Sequence, residues 1–140
     1  MANYGPSSVT IAYDNAAGSP VDITQYVMTV NEIVVEQINE ERHPFGTSWE
    51  TYLPVGVGKM GPIELDGLYD DTASSGPDAL FANRVPETPA SNTRTLTITF
   101  GSTKKVSVET YLVSYNRTVD RNKITSYKAK LQPTGSVSET

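Results

Sequence analysis

The 140 residues contain no cysteine, so neither a disulfide nor a thiolate metal site holds this fold, which must stand on packing and backbone pairing alone. One histidine, His43, stands without a second to share a metal and without an adjacent serine placed as a nucleophile, so it reads as a loop or interface histidine. Basic residues are scattered, and the net charge is −5; a protein that grips phosphates needs clustered Lys and Arg. Long apolar runs are missing too: no window approaches the ~18 residues of a membrane-spanning helix, and the first residues lack the basic start and apolar run of a signal peptide. These absences predict a soluble chain, not exported by that route and not inserted in a membrane, and compatible with a reducing cytoplasm.

What is present is alternation by twos. Leu96, Ile98 and Phe100 are separated by threonines, Val106 and Val108 by Ser107, and Tyr127, Ala129 and Leu131 by Lys128 and Lys130. Successive side chains of a strand point to opposite faces, so each run offers one apolar face and one polar face. The predicted strands are 9–13, 30–38, 61–69, 94–100, 104–116 and 123–132. Between 30 and 38 both faces carry Val or Ile, which predicts cover on both sides. Leu96, Ile98, Phe100, Val106 and Val108 are expected in the core. One helix is predicted over 77–85, capped by Ser75 or Gly76, with Pro77 in its first turn and Leu80, Phe81 and Val85 packed on a sheet. Asp22 is expected to cap one helical turn after it. The size is that of one domain, 1–140, mainly β, with one helix and flexible arms at 1–8 and 135–140.

Residues 39–58 break the pattern. Pro44, Pro54, Gly56 and Gly58 interrupt a mixture of charged and aromatic residues that includes the only Trp, which predicts a long inserted loop. Its aromatics have two readings: Trp49, Tyr52 and Leu53 fold back as a cap on the domain's own core, or Phe45, Trp49 and Tyr52 anchor a contact with a neighbouring subunit. The carboxylates Glu64, Asp66, Asp70 and Asp71 are the nearest thing to a catalytic or metal cluster, but their spacing spells neither an acid and base pair nor a calcium loop. No catalytic residue, metal ligand or cofactor is assigned. Lys104, Lys105, Lys128 and Lys130 form two short pairs, too few for a nucleic-acid groove.

Four blocks in order resemble the tail tube proteins (major tail proteins) of long-tailed bacteriophages: residues 19–27 (SPVDITQYV), 45–54 (FGTSWETYLP), 65–71 with 76–80 (LDGLYDD and GPDAL), and 129–135 (AKLQPTG). The resemblance implies a β-sandwich or β-barrel with one flanking α-helix. It also implies non-catalytic self-association into six-membered rings that stack into a tube on the virion tail, made in the bacterial cytoplasm. The partners it implies are other copies, other tail proteins at the tube ends, and DNA in transit without specific binding. By the same analogy the long loop is the ring-stacking element, through Glu40, Glu41, Arg42, His43, Phe45, Trp49 and Tyr52. Since Ile63, Leu65 and Val108 claim the core side, Glu64, Asp66 and Glu109 fall on the opposite face, expected to line the lumen and keep it net negative, with Lys128 and Lys130 partly neutralising it by cross-strand pairing. The blocks do not separate a tube subunit from a terminator, a tube initiator or a gene-transfer-particle tail. The rival reading is a monomeric carbohydrate-binding β-sandwich that stacks sugar on Trp49 and Tyr52.

Overall fold

The alternating C-terminal third folds as an antiparallel meander, and the rest of the domain is built onto its two sides. The computed structural model describes residues 5, 8–42, 45, 46, 48, 49, 51–85 and 93–140. One curled antiparallel sheet has the order β2 (Pro20–Asp22), β1 (Val9–Asp14), β7 (Arg94–Phe100), β8 (Lys104–Asp120), β9 (Lys123–Glu139), β6 (Ile63–Leu68), β3 (Thr29–Val30). Two further strands, β4 (Val35–Arg42) and β5 (Thr51–Met60), pair only with each other. The protein is thus mainly β, a half-barrel with one small helix, α1 (Pro77–Phe81), laid into its concave side.

The core is the apolar face of the alternation. Leu96, Ile98, Val108, Leu112, Tyr127, Ala129 and Leu131 are buried against Ile11, Tyr13, Ile63 and Leu65. Phe100 and Val106, expected to be buried with them, are only partly covered, because they sit at the Gly101 turn where the sheet opens to water. The side-chain parity of β8 changes midway: Leu112 pairs Leu131, yet Ser114 pairs Lys130, so Val113 is an extra residue and Tyr115, not Ser114, turns inward.

Helix α1 is shorter than 77–85. Gly76 is its N-cap and Pro77 its first residue, as expected, but the backbone turns extended at Ala82 and Asn83 takes φ +62°, leaving Val85 54% exposed. Phe81 is the centre of an aromatic cluster, with ring centroids 5.1 Å from Tyr13, 5.7 Å from Tyr115 and 6.2 Å from Tyr127. Asp78 ties the helix to β8, accepting from Arg117 Nη2 at 2.7 Å and from the Tyr115 hydroxyl at 3.2 Å. Burial pushes the Tyr115 hydroxyl up to about 12, so it remains a donor at neutral pH. The Arg117 hydrogen bond holds the Asp78 carboxyl below its ordinary value. A depressed carboxyl adds stability above its unfolded value, about pH 4, and loses it as pH falls through the lower folded value. Asp78→Asn should therefore lower Tm at pH 7, by an amount worth about 1 kcal/mol or less since Arg117 is half exposed, and the gap from wild type should close as pH falls through the lowered folded value. A gap that persists at pH 2 would refute an ionic origin.

Residues 23–31 bridge the two edges of the sheet. Asp22 Oδ1 accepts from the Thr24 N–H (2.9 Å) and hydroxyl (2.6 Å), making a side-chain turn into a 3-10 turn at Thr24–Tyr26 where an N-cap was expected. Thr24 Oγ1 accepts from the Ile11 N–H at 2.9 Å on the β1 edge. At the far edge the Asn31 side chain imitates a strand residue, donating to the Pro62 carbonyl (2.9 Å) and accepting from the Glu64 N–H (3.0 Å). Both edges are thereby satisfied by side chains of one strap. The expected strand over 30–38 is interrupted here, and its covered half runs to Ile33 and Val34 while Val35 and Ile38 are 49% and 40% exposed.

The C-terminal residues are not frayed. Gly135 at φ +84° lets β9 resume beside β8, so Ser138 pairs Ser107 and Glu139 pairs Val106, and Lys105 and Thr140 exchange backbone hydrogen bonds at 3.1 and 3.0 Å. Most of the N-terminal arm lies outside the described residues.

Candidate functional site

The segment read as a long loop is an antiparallel ribbon. Val35 faces Met60, Glu36 faces Lys59 and, beyond a bulge, Glu40 faces Leu53, Glu41 faces Tyr52 and Arg42 faces Thr51. Residues 55–57 stand opposite Ile38 alone, and Gly56 at φ +82° takes the bulge. Proline and glycine, which mark breaks in a central strand, are tolerated here because both strands of a two-stranded ribbon are edges. The ribbon meets the domain only at its base, where Met60 is buried; every other residue of β4 and β5 is exposed.

The ribbon carries the chain's most exposed apolar side chains. Trp49 is 84% and Tyr52 57% exposed, Phe45 is fully so, and Ile38, Leu53, Val55 and Val57 lie between 37% and 52%. The reading of Trp49, Tyr52 and Leu53 as a cap on the core is therefore wrong, and the ribbon brings Glu40, Glu41, Arg42 and Tyr52 together at its outer half. His43 lies outside the described residues. Ile38, Val55 and Val57 were missed as surface residues because their sequence pattern is that of a core strand; only the absence of a covering layer exposes them.

Glu64, Asp66 and Glu109 do share one face, the polar side of the sheet. Lys130 stands opposite Glu64 and Lys128 opposite Asp66, while Lys128 Nζ lies 3.5 Å from Glu64 Oε2. Glu109 accepts a hydrogen bond from the Thr95 hydroxyl and sits apart from the other two, five residues before Ser114 of the Glu64 row, on the order of 15 Å along β8. Lys105 is on this face too, opposite Thr99. Three carboxylates thus meet three ammonium groups along β6 to β7, while Asp14 and Asp22 stand on the same side of β1 and β2, so the face keeps an excess of carboxylates; its remainder is rich in hydroxyls (Thr97, Ser107, Ser138).

Among the described residues no group of three His, Asp or Glu is placed to hold a metal. Asp70 is occupied locally: Thr72 donates to it from its N–H (2.7 Å) and hydroxyl, which lowers its carboxyl. A recess of about 190 Å³ lined by Val9, Ile11, Val27, Met28 and Val30 contains no titratable side chain. Among the described residues the most exposed apolar side chains lie at the ribbon, at the β8–β9 turn with Val119 80% and Ile124 73% exposed, and at Met28, 72% exposed.

No protein-family model matches the chain, and no curated protein does. Its fold is similar over its whole length to three solved chains. One belongs to the anti-feeding prophage baseplate, reconstructed with 6-fold symmetry, at 11% identity and a TM-score of 0.73, covering 100% of this chain and 95% of the other. A second belongs to the virion of a native gene transfer agent particle, at 15% identity and a TM-score of 0.73, covering 99% of both chains. The third comes from the tail of an empty gene transfer agent particle with C6 symmetry, at 16% identity, a TM-score of 0.71 and 99% coverage of both.

Proposed function

We propose that the protein is a non-catalytic structural subunit of a phage-like tail, closing side by side with other copies into six-membered rings that stack into a tube for DNA passage. The observation that carries this reading is a ribbon that, Met60 at its base apart, is exposed along both strands and presents Trp49, Phe45 and five aliphatic side chains. Monomers rarely expose contiguous apolar surface of this kind without an interaction to make. End-to-end likeness to chains of particles reconstructed with 6-fold and C6 symmetry supports the ring. The polar sheet face is then the channel wall, with Glu64, Asp66 and Glu109 offset by lysines and Asp14 and Asp22 leaving it weakly negative, so DNA meets hydroxyls and paired charges and no attractive patch. A tube reconstruction with this face on the outer wall would refute that assignment.

The test is to replace residues 37–58 by a two-residue Asn-Gly turn closing the Glu36 and Lys59 pair. Since the described residues among those removed are exposed, Tm should change by no more than a few degrees and the far-ultraviolet spectrum should stay strand-rich. Wild type should form rings or tubes in negative-stain images, and the truncated chain should sediment as a monomer at every concentration. Normal tubes from the truncated chain would rule out the ribbon as the assembly element.

A further inference from the structure

The strap holds the β1 edge at Ile11 and the β6 edge at Glu64 and Asp66, and leaves a seam open between Val9 and Val30. Register fixes where the peptide groups of that seam point. The Gly101 N–H donates to the Ser8 carbonyl at 2.8 Å, which turns Ser8 and Thr10 toward β7 and the N–H and carbonyl of Val9 away from it. Ile11, of the same parity as Val9, is met on that side by the Ile23 N–H at 3.0 Å and the Thr24 hydroxyl. Val9 would be met next, but the chain has left the β1 edge in the 3-10 turn at Thr24–Tyr26. Across the seam the Asn31 N–H donates to the Glu64 carbonyl at 3.2 Å, so Thr29 and Asn31 face β6 and the N–H and carbonyl of Val30 face away.

Val9 and Val30 line one recess, the 190 Å³ space they share with Ile11, Thr24, Val27 and Met28. Among the described residues no strand pairs with either of them on the seam side. Backbone donors and acceptors left unmade beside partly covered aliphatic groups are costly, and an open edge of this kind recruits a strand. The recess has no titratable side chain, so a charged occupant would be desolvated without a partner. A slot bounded by two edges admits only a strand whose own two edges are both free. Every described strand of this chain already has a neighbour on at least one side, which excludes the sheet and ribbon strands of a second copy.

We infer that the seam takes an extended, uncharged peptide segment of a partner protein, added as a strand between Val9 of β1 and Val30 of β3. Its backbone pairs with Val9 on one side and Val30 on the other, and its alternate side chains, small and aliphatic, turn in among Ile11 and Val27. Met28, unbranched and 72% exposed while lining the recess, adapts to what enters. This goes beyond the tube reading and stands without it.

The test titrates a capped pentapeptide, Thr-Val-Thr-Val-Thr, into the whole chain labelled for amide NMR. The Val9 and Val30 amide signals should shift and their exchange with solvent should slow, while those of the ribbon stay in place. Val30→Pro deletes a donor that the β3–β6 pairing does not use, since Thr29 and Asn31 carry it, and should weaken binding by ~tenfold; Val30→Ala, which loses the side chain and keeps the N–H, should bind better than Val30→Pro. A second measurement leaves the protein unaltered: the same peptide N-methylated at both valines keeps its side chains, loses one row of donors and should not bind. Equal binding of the methylated peptide, or shifts that avoid Val9 and Val30, would overturn strand addition, and no binding of the parent peptide would overturn the site. Tighter binding of a capped peptide of residues 1–7 would assign the slot to another copy of this chain and overturn the partner.

Discussion

Gly67→Ala should destabilise the domain by about 3–5 kcal/mol, the sum of overpacking and a stranded hydroxyl. A Cβ at Gly67 would lie 2.0 Å from the Tyr26 carbonyl oxygen and 3.2 Å from Val27 Cα. Both are backbone atoms of the strap, so no rotamer change relieves the clash. Moving the strap also withdraws the Tyr26 carbonyl from the Tyr127 hydroxyl, which donates to it at 2.8 Å, and strains the Met28 N–H bond to the Asp66 carbonyl at 2.7 Å. Tyr127 is the cross-strand partner of Gly67, so one pair supplies both the space and the donor that seat the strap. A urea titration reads the effect, with Gly58→Ala as control: its Cβ meets only the Glu36 carbonyl at 3.6 Å, and its cost should stay within about 0.5 kcal/mol. Equal costs at the two positions would mean that the strap yields freely and does not close the sheet.

Phe81→Ala should cost about 3–5 kcal/mol, a large share of the 5–15 kcal/mol that holds a domain of this size. Phe81 is 1% exposed and contacts three tyrosine rings drawn from β1, β8 and β9, so its removal opens a cavity at the one point where helix and sheet share a core. Tm should fall by roughly 10–20 °C. The instructive contrast is Phe45→Ala on the ribbon, where full exposure predicts a change within about 0.5 kcal/mol but weaker assembly. Phe100, by alternation the equal of its neighbours, should fall between them, because it is only partly buried. A stability loss at Phe45 comparable to that at Phe81 would place the ribbon in the fold's core and undo the separation of fold from assembly.

Some of this was legible in the residues themselves. Alternation is a local property, so the strands 94–100 and 123–132, the Gly101 hairpin, the Gly76 and Pro77 helix start and the inward pointing of Ile63, Leu65 and Val108 all follow from side-chain period and turn chemistry. The common face of Glu64, Asp66 and Glu109 follows in the same way. What local pattern does not contain is which surface another element covers. Val35, Ile38, Val55 and Val57 have the residue types of a core strand and stand in water, because β4 and β5 pair with each other and with nothing above or below them. Bulges at Val113 and Gly56 shift parity or register without any signal in composition. Lys105 joins the polar face only because the β7–β8 register brings it opposite Thr99. Period and turn residues determined the strands and their faces; tertiary pairing decided which faces met a partner, since burial and net field depend on neighbours far away in the chain.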